Sequence, residues 1–113
     1  MCTQNQLNRV LSETYNGLSE IFGDKLKDVI LYGSYARGEQ TDESDIDVMA
    51  VIDLDKQALH SYRRSVSDFS SDMDLKHGVL LSIKLQDNES LELYGNTLPF
   101  FINVIREGIS FAQ

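Results

Sequence analysis

Residues 29–53 constrain the fold more tightly than any other stretch of the chain. Val29, Ile30, Leu31 and Tyr32 form an unbroken apolar run that stops at Gly33-Ser34, as a strand covered on both faces does where it leaves its sheet. Ten residues later, Ile46, Val48, Ala50 and Ile52 alternate with Asp45, Asp47, Met49 and Val51. This second segment reads as a strand whose first half has one polar face. Alternation puts Asp45 and Asp47 on the same side, about 7 Å apart along the strand. Two carboxylates so placed repel each other and lose solvation when partly buried. A fold tolerates them when a cation sits between them. Magnesium fits, because it prefers oxygen ligands and is commonly held by one or two carboxylates together with substrate phosphates.

The other end of the segment offers groups for those phosphates. Where the first strand turns into a helix start, unpaired backbone N–H groups point outward, and the Ser34 hydroxyl adds a donor. Glycine at position 33 permits close backbone approach. Arg37, one turn later, is placed either to reach a phosphate or to form a surface ion pair with Glu39 or Glu43. Gly38 then stops the short helix. The intervening stretch from Glu39 to Asp55 carries seven acids and no base, and all but Asp45 and Asp47 read as solvated loop. Tyr32 is expected to pack in the core, while Tyr35 lies close enough in sequence to stand beside a nucleotide.

Around this segment the pattern is that of one small mixed α/β domain over residues 1–113, with a sheet of three to four strands packed by helices. Apolar spacing predicts a first helix from Gln4 to Phe22, ended by Gly23, and then a charged turn from Asp24 to Asp28. A helix is expected within Asp53–Met73, a third strand over Gly78–Leu85, and a last helix capped by Thr97 with Pro99 in its first turn. Ile109 and Phe111 offer a closing segment.

Eighteen acids against ten bases give a formal net charge of −8. Such a chain repels nucleic acid and anionic membranes unless its bases cluster, so neither is an expected partner. No apolar run has the length of a membrane span, and the N-terminus lacks the pattern of a signal peptide. A lone cysteine, Cys2, excludes an internal disulfide and a cysteine-built zinc site and suits a cytoplasmic location. His60 and His77 are isolated and have no ligand spacing.

Gly33-Ser34, ten residues, then Asp45-Ile46-Asp47 resembles the Gly-Ser…Asp-x-Asp signature of the DNA polymerase β-like nucleotidyltransferase superfamily. The wording GSYARG, the strand DSDIDV and the tail NVIREGI are similar to its minimal nucleotidyltransferases. A Walker A loop does not fit, since no Gly-Lys-Ser/Thr follows the glycine. The resemblance implies a polymerase β-like nucleotidyltransferase fold and transfer of AMP from ATP to a hydroxyl, with Gly33, Ser34 and Arg37 on the nucleotide. Asp45 and Asp47 would be the catalytic, magnesium-binding pair. It also implies an antitoxin role toward a HEPN toxin, whose tyrosine would be the acceptor, in a HEPN–MNT toxin–antitoxin pair. An acidic surface suits a basic, RNA-binding partner of that kind.

One departure from the family pattern bears on activity. Members commonly carry a third carboxylate on the next strand, where this chain offers Ser82, with Asp74 and Asp87 the nearest acids. Without it, a binding module that holds nucleotide and metal with little turnover is the alternative. A small-molecule transferase of the aminoglycoside type is less favoured, because those enzymes carry an additional helical domain. Acceptor, base preference and self-association into a homo-oligomer are left open by the sequence.

Overall fold

A computed structural model describes residues 3–111. Cys2, to which the sequence assigns no site, lies outside them.

Helix α1 (Gln4–Phe22) follows directly from its spacing. Leu7, Val10, Thr14, Leu18 and Phe22 recur every three or four residues and are all buried. The Thr3 hydroxyl accepts the Gln6 N–H at 3.1 Å to cap its start. Thr14 is buried without penalty because its hydroxyl donates to the Val10 carbonyl at 2.7 Å. A single 3-10 turn (Gly23–Lys25) leads into β1 (Leu26–Tyr32), so the expected charged turn is shorter than read and the strand begins earlier. Helix α2 (Ser34–Arg37) and the polar loop deliver the chain to β2 (Ile46–Ile52).

The expected helix within 53–73 is two helices, α3 (Lys56–His60) and α4 (Arg63–His77). Asp55 explains the separate start, since its carboxylate accepts the Ala58 N–H at 2.7 Å. Gly78, at φ 64°, ends α4, and β3 spans Leu81–Asp87 rather than starting at the glycine. Helix α5 (Asn88–Tyr94) was not anticipated; it starts where the Asp87 carboxylate caps the Ser90 N–H. Helix α6 (Pro99–Glu107) has Leu98, not Thr97, at its N-cap position, with Pro99 leading. A two-residue strand, β4 (Ile109–Ser110), closes the sheet.

Strand order is β3-β2-β1-β4, giving the four strands at the upper end of the expectation. β1 pairs antiparallel with β2 and β4, and β2 pairs parallel with β3. One face of the sheet, built from Val29, Leu31, Val48, Ala50 and Ile52, packs on α1 and α4. The other face, with Ile30, Met49 and Val51, is covered by Phe101 and Val104 of α6. Strand β2 therefore lies between two apolar layers, and Asp47 is its one residue that is not buried. No helix among the described residues is long and apolar enough to cross a membrane.

Candidate functional site

The sheet brings the two ends of the 29–53 segment together. In the β1–β2 register Tyr32 faces Asp47, so the turn that leaves β1 lies beside the acid that enters β2. Gly33 has φ 75° and ψ −155°, a region essentially closed to residues with a side chain. A Cβ on Gly33 would lie 2.5 Å from Asp47 Oδ2, well inside van der Waals contact. The glycine thus meets two requirements at once: the backbone reversal and the space occupied by the carboxylate. Its carbonyl accepts the N–H groups of Ala36 (3.1 Å) and Arg37 (3.2 Å), which fixes the following turn of helix. Ser34 opens that turn and is half-buried.

Asp47 is half-buried and Asp45 exposed, just ahead of the strand. Burial pushes the Asp47 carboxyl above its ordinary value, the neighbouring Asp45 charge adds to the rise, and Arg37 opposes it. Burial also raises the Tyr32 phenol, helped by the Asp47 charge. The acids are therefore close enough to repel, and a cationic group lies within range. Arg37 Nε pairs with Glu39 at 2.9 Å and Nη1 with Glu107 of α6 at 3.5 Å, so of the two expected ion pairs only the one to Glu39 forms. Glu107 as a partner is new.

Tyr32 packs against the core as expected, and Tyr35 departs from expectation. Tyr35 is buried in the core beside α1, whereas Tyr32 sits half-buried on the Asp47 face. The reason is parity: Tyr32 shares a face with Ile30, not with Leu31.

The β2–β3 register sets Ser82 directly opposite Asp47, on the face where a third carboxylate would complete the set. The two other acids weighed for that role are used elsewhere. Asp74 Oδ1 accepts the Leu81 N–H at 2.7 Å, and Asp87, at the far end of β3, accepts Ser90 and Gln86 N–H groups. Although burial raises the Asp87 carboxyl, hydrogen bonds from Ser90 bring it below its ordinary value. Among the described residues no group of three or more acidic, histidine or cysteine side chains is positioned to hold a metal. The donor set therefore fits a magnesium ion that takes two carboxylates and completes its shell from phosphate and water, and does not fit a cage built from protein alone.

Helix α6 supplies residues that the sequence did not flag. Phe100 stacks edge-on against Tyr32 at 5.8 Å between ring centres, and the Lys84 ammonium lies 5.4 Å above the Phe100 ring. Asn103 and Glu107 follow at helical spacing. With Tyr32, Gly33 and Arg37 they line a cavity of about 160 Å³ beside the turn. The i, i+3, i+7 spacing of Phe100, Asn103 and Glu107 was visible; which strand that helix face covers was not.

Comparison with known proteins identifies the family. Residues 11–96 match the family model described as "Nucleotidyltransferase domain". "Putative protein adenylyltransferase MJ0604" of Methanocaldococcus jannaschii is 36% identical over 102 residues, covering 88% of this chain and 92% of the relative. "Putative protein adenylyltransferase MJ0141" from the same organism is 31% identical over 97 residues, 80% of this chain and 96% of the relative. A crystal structure titled as "a putative nucleotidyltransferase" from Sulfolobus solfataricus shares the fold, with a TM-score of 0.61 at 21% identity over 95% of this chain and 83% of that one. Gly33, Asp45 and Asp47 thus stand within a matched segment that takes in most of the chain, which belongs to the nucleotidyltransferase domain family.

Proposed function

We propose that the protein transfers AMP from ATP to a hydroxyl on another protein, with Asp45 and Asp47 as its metal-binding pair. The observation that carries this reading is the contact between the turn and the acid: the Asp47 carboxylate occupies the space that a side chain on residue 33 would need. Phosphate donors and metal ligands thereby share one site. In this reading the Ser34 backbone N–H and hydroxyl hold the triphosphate. Arg37 exchanges a carboxylate partner for a phosphate oxygen. Asp45 and Asp47 would hold magnesium, which supplies charge neutralisation of the phosphates and relief of the repulsion between the two acids. The acceptor oxygen forms a bond to the α-phosphorus as the bond to the bridging β-oxygen breaks, and pyrophosphate leaves. A reaction that consumes ATP suits a cytoplasmic location.

Support for a protein acceptor comes from the names of the two Methanocaldococcus relatives. The resemblance to minimal nucleotidyltransferases narrows it to a tyrosine of a HEPN-type toxin, and the net charge of −8 suits a basic partner. The test is incubation with magnesium, such a partner and ATP labelled at either the α- or the γ-phosphate. Transfer of the α label alone to a partner tyrosine is expected. Transfer of the γ label would overturn the assignment.

A second reading rests on Ser82. With serine opposite Asp47 and with Asp74 and Asp87 engaged in hydrogen bonds to backbone N–H groups, β3 offers no third carboxylate to take the acceptor's proton. Magnesium-dependent ATP binding without label transfer would favour a module that holds nucleotide and covers its partner without chemistry.

A further inference from the structure

Resting on the ATP reading above, we propose that the cavity between Gly33 and α6 receives the nucleobase, and that Asn103 selects adenine. The cavity, about 160 Å³, adjoins the turn assigned to the triphosphate, so one ligand can reach both. Its aromatic side is formed by Tyr32 and Phe100, held edge to face. Phe100 is 44% exposed, carries the Lys84 ammonium over its ring, and offers an aromatic surface for stacking. Asn103 is exposed, and its amide has no hydrogen-bond partner among the described residues.

Charge decides what can enter. Glu107 lies in the wall, so a phosphate there would face a carboxylate, whereas a neutral flat ring would not be repelled. A carboxamide presents one donor and one acceptor side by side, the complement of the adenine amino group and its adjacent ring nitrogen. Guanine offers two acceptors on the same edge, which a carboxamide does not complement.

The experiment is calorimetric titration of the full chain with ATP, GTP and tripolyphosphate, each with magnesium, for the natural protein, Asn103→Ala and Phe100→Ala. Asn103→Ala should weaken ATP about tenfold, remove the preference over GTP, and leave tripolyphosphate unchanged. Phe100→Ala should weaken ATP and GTP alike. Unaltered ATP affinity in Asn103→Ala overturns the proposal, as does an equal loss for tripolyphosphate. Asn103 is exposed, so that variant keeps its fold even if Phe100→Ala does not. Failure of the underlying reading looks different: Asp47→Asn would then leave magnesium-dependent tripolyphosphate binding intact.

Discussion

Replacing Gly33 by alanine should break the site more than the fold, and the neighbouring Gly38 provides the control. Both glycines have positive φ, 75° and 72°. Gly38 lies in the left-handed helical region, with ψ 22° and no atom within 4 Å of an added Cβ. Alanine there costs about 1 kcal/mol in backbone strain, partly offset by the lower entropy of the unfolded chain. Gly33, at ψ −155°, lies where strain costs roughly 1–3 kcal/mol. Its new methyl would also overlap Asp47 Oδ2 at 2.5 Å. Turning the carboxylate aside costs on the order of 1 kcal/mol more if it leaves its rotamer. The net expectation for Gly33→Ala is a loss of about 2–3 kcal/mol, read as a fall of roughly 8–12 °C in melting temperature. Gly38→Ala should move it by less than about 4 °C. Calorimetric titration of each folded variant with magnesium and ATP supplies the second half. Binding should be retained in Gly38→Ala and lost in Gly33→Ala, because only the latter displaces Asp47. Full magnesium-dependent ATP affinity in Gly33→Ala would refute the claim that turn and acid form one site.

Asp45→Asn with Asp47→Asn should raise the melting temperature in metal-free buffer at neutral pH and abolish magnesium-dependent ATP binding. The sign follows from the raised Asp47 carboxyl: ionised Asp47 opposes folding, and that penalty grows as pH rises from the ordinary value of 3.8 through the higher folded one. For the same reason magnesium binding should fade on acidification at a higher pH than for an ordinary carboxylate, as a titration monitored by calorimetry from neutral pH downward would show. Asp74→Ala should lower stability by about 1–2 kcal/mol through loss of the Leu81 cap, leaving ATP affinity unchanged; a selective loss of affinity would restore Asp74 to the site. Ser82→Asp, which places a carboxylate opposite Asp47, should increase label transfer about tenfold or more, and a folded variant with no gain would contradict the register-based placement.

The parts of the fold that follow from local periodicity were legible in the sequence. The bounds of α1 and the run of β2 come straight from the spacing of apolar residues, and Gly23 and Gly38 end their helices as glycine does at positive φ. What failed was capping and parity. Asp55 and Asp87 each start a helix with a side-chain bond to a backbone N–H three residues on, yet in the sequence Asp55 reads as solvated charge and Asp87 as a candidate third carboxylate. Tyr35 is buried, and Tyr32, though packed on the core, stays half-buried beside Asp47, because the sequence does not say which face of a doubly covered strand is left open near its end. The candidate site shows the same division. Gly33, Ser34, Asp45 and Asp47 lie within fifteen residues, so a strand–turn–strand brings them together with little help from the rest of the chain. Phe100, Asn103 and Glu107 come from a helix some sixty residues later, and only the packing of α6 across β1 and β2 shows that they belong beside it.

The most direct test is a crystal structure with manganese, in place of magnesium, and a nonhydrolysable ATP analogue, with the ion located by its anomalous scattering. The account predicts a peak bound by carboxylate oxygens of Asp45 and Asp47, with the phosphates lying over Gly33 and Ser34. A peak elsewhere, or both carboxylates turned to solvent while the nucleotide binds, would contradict it.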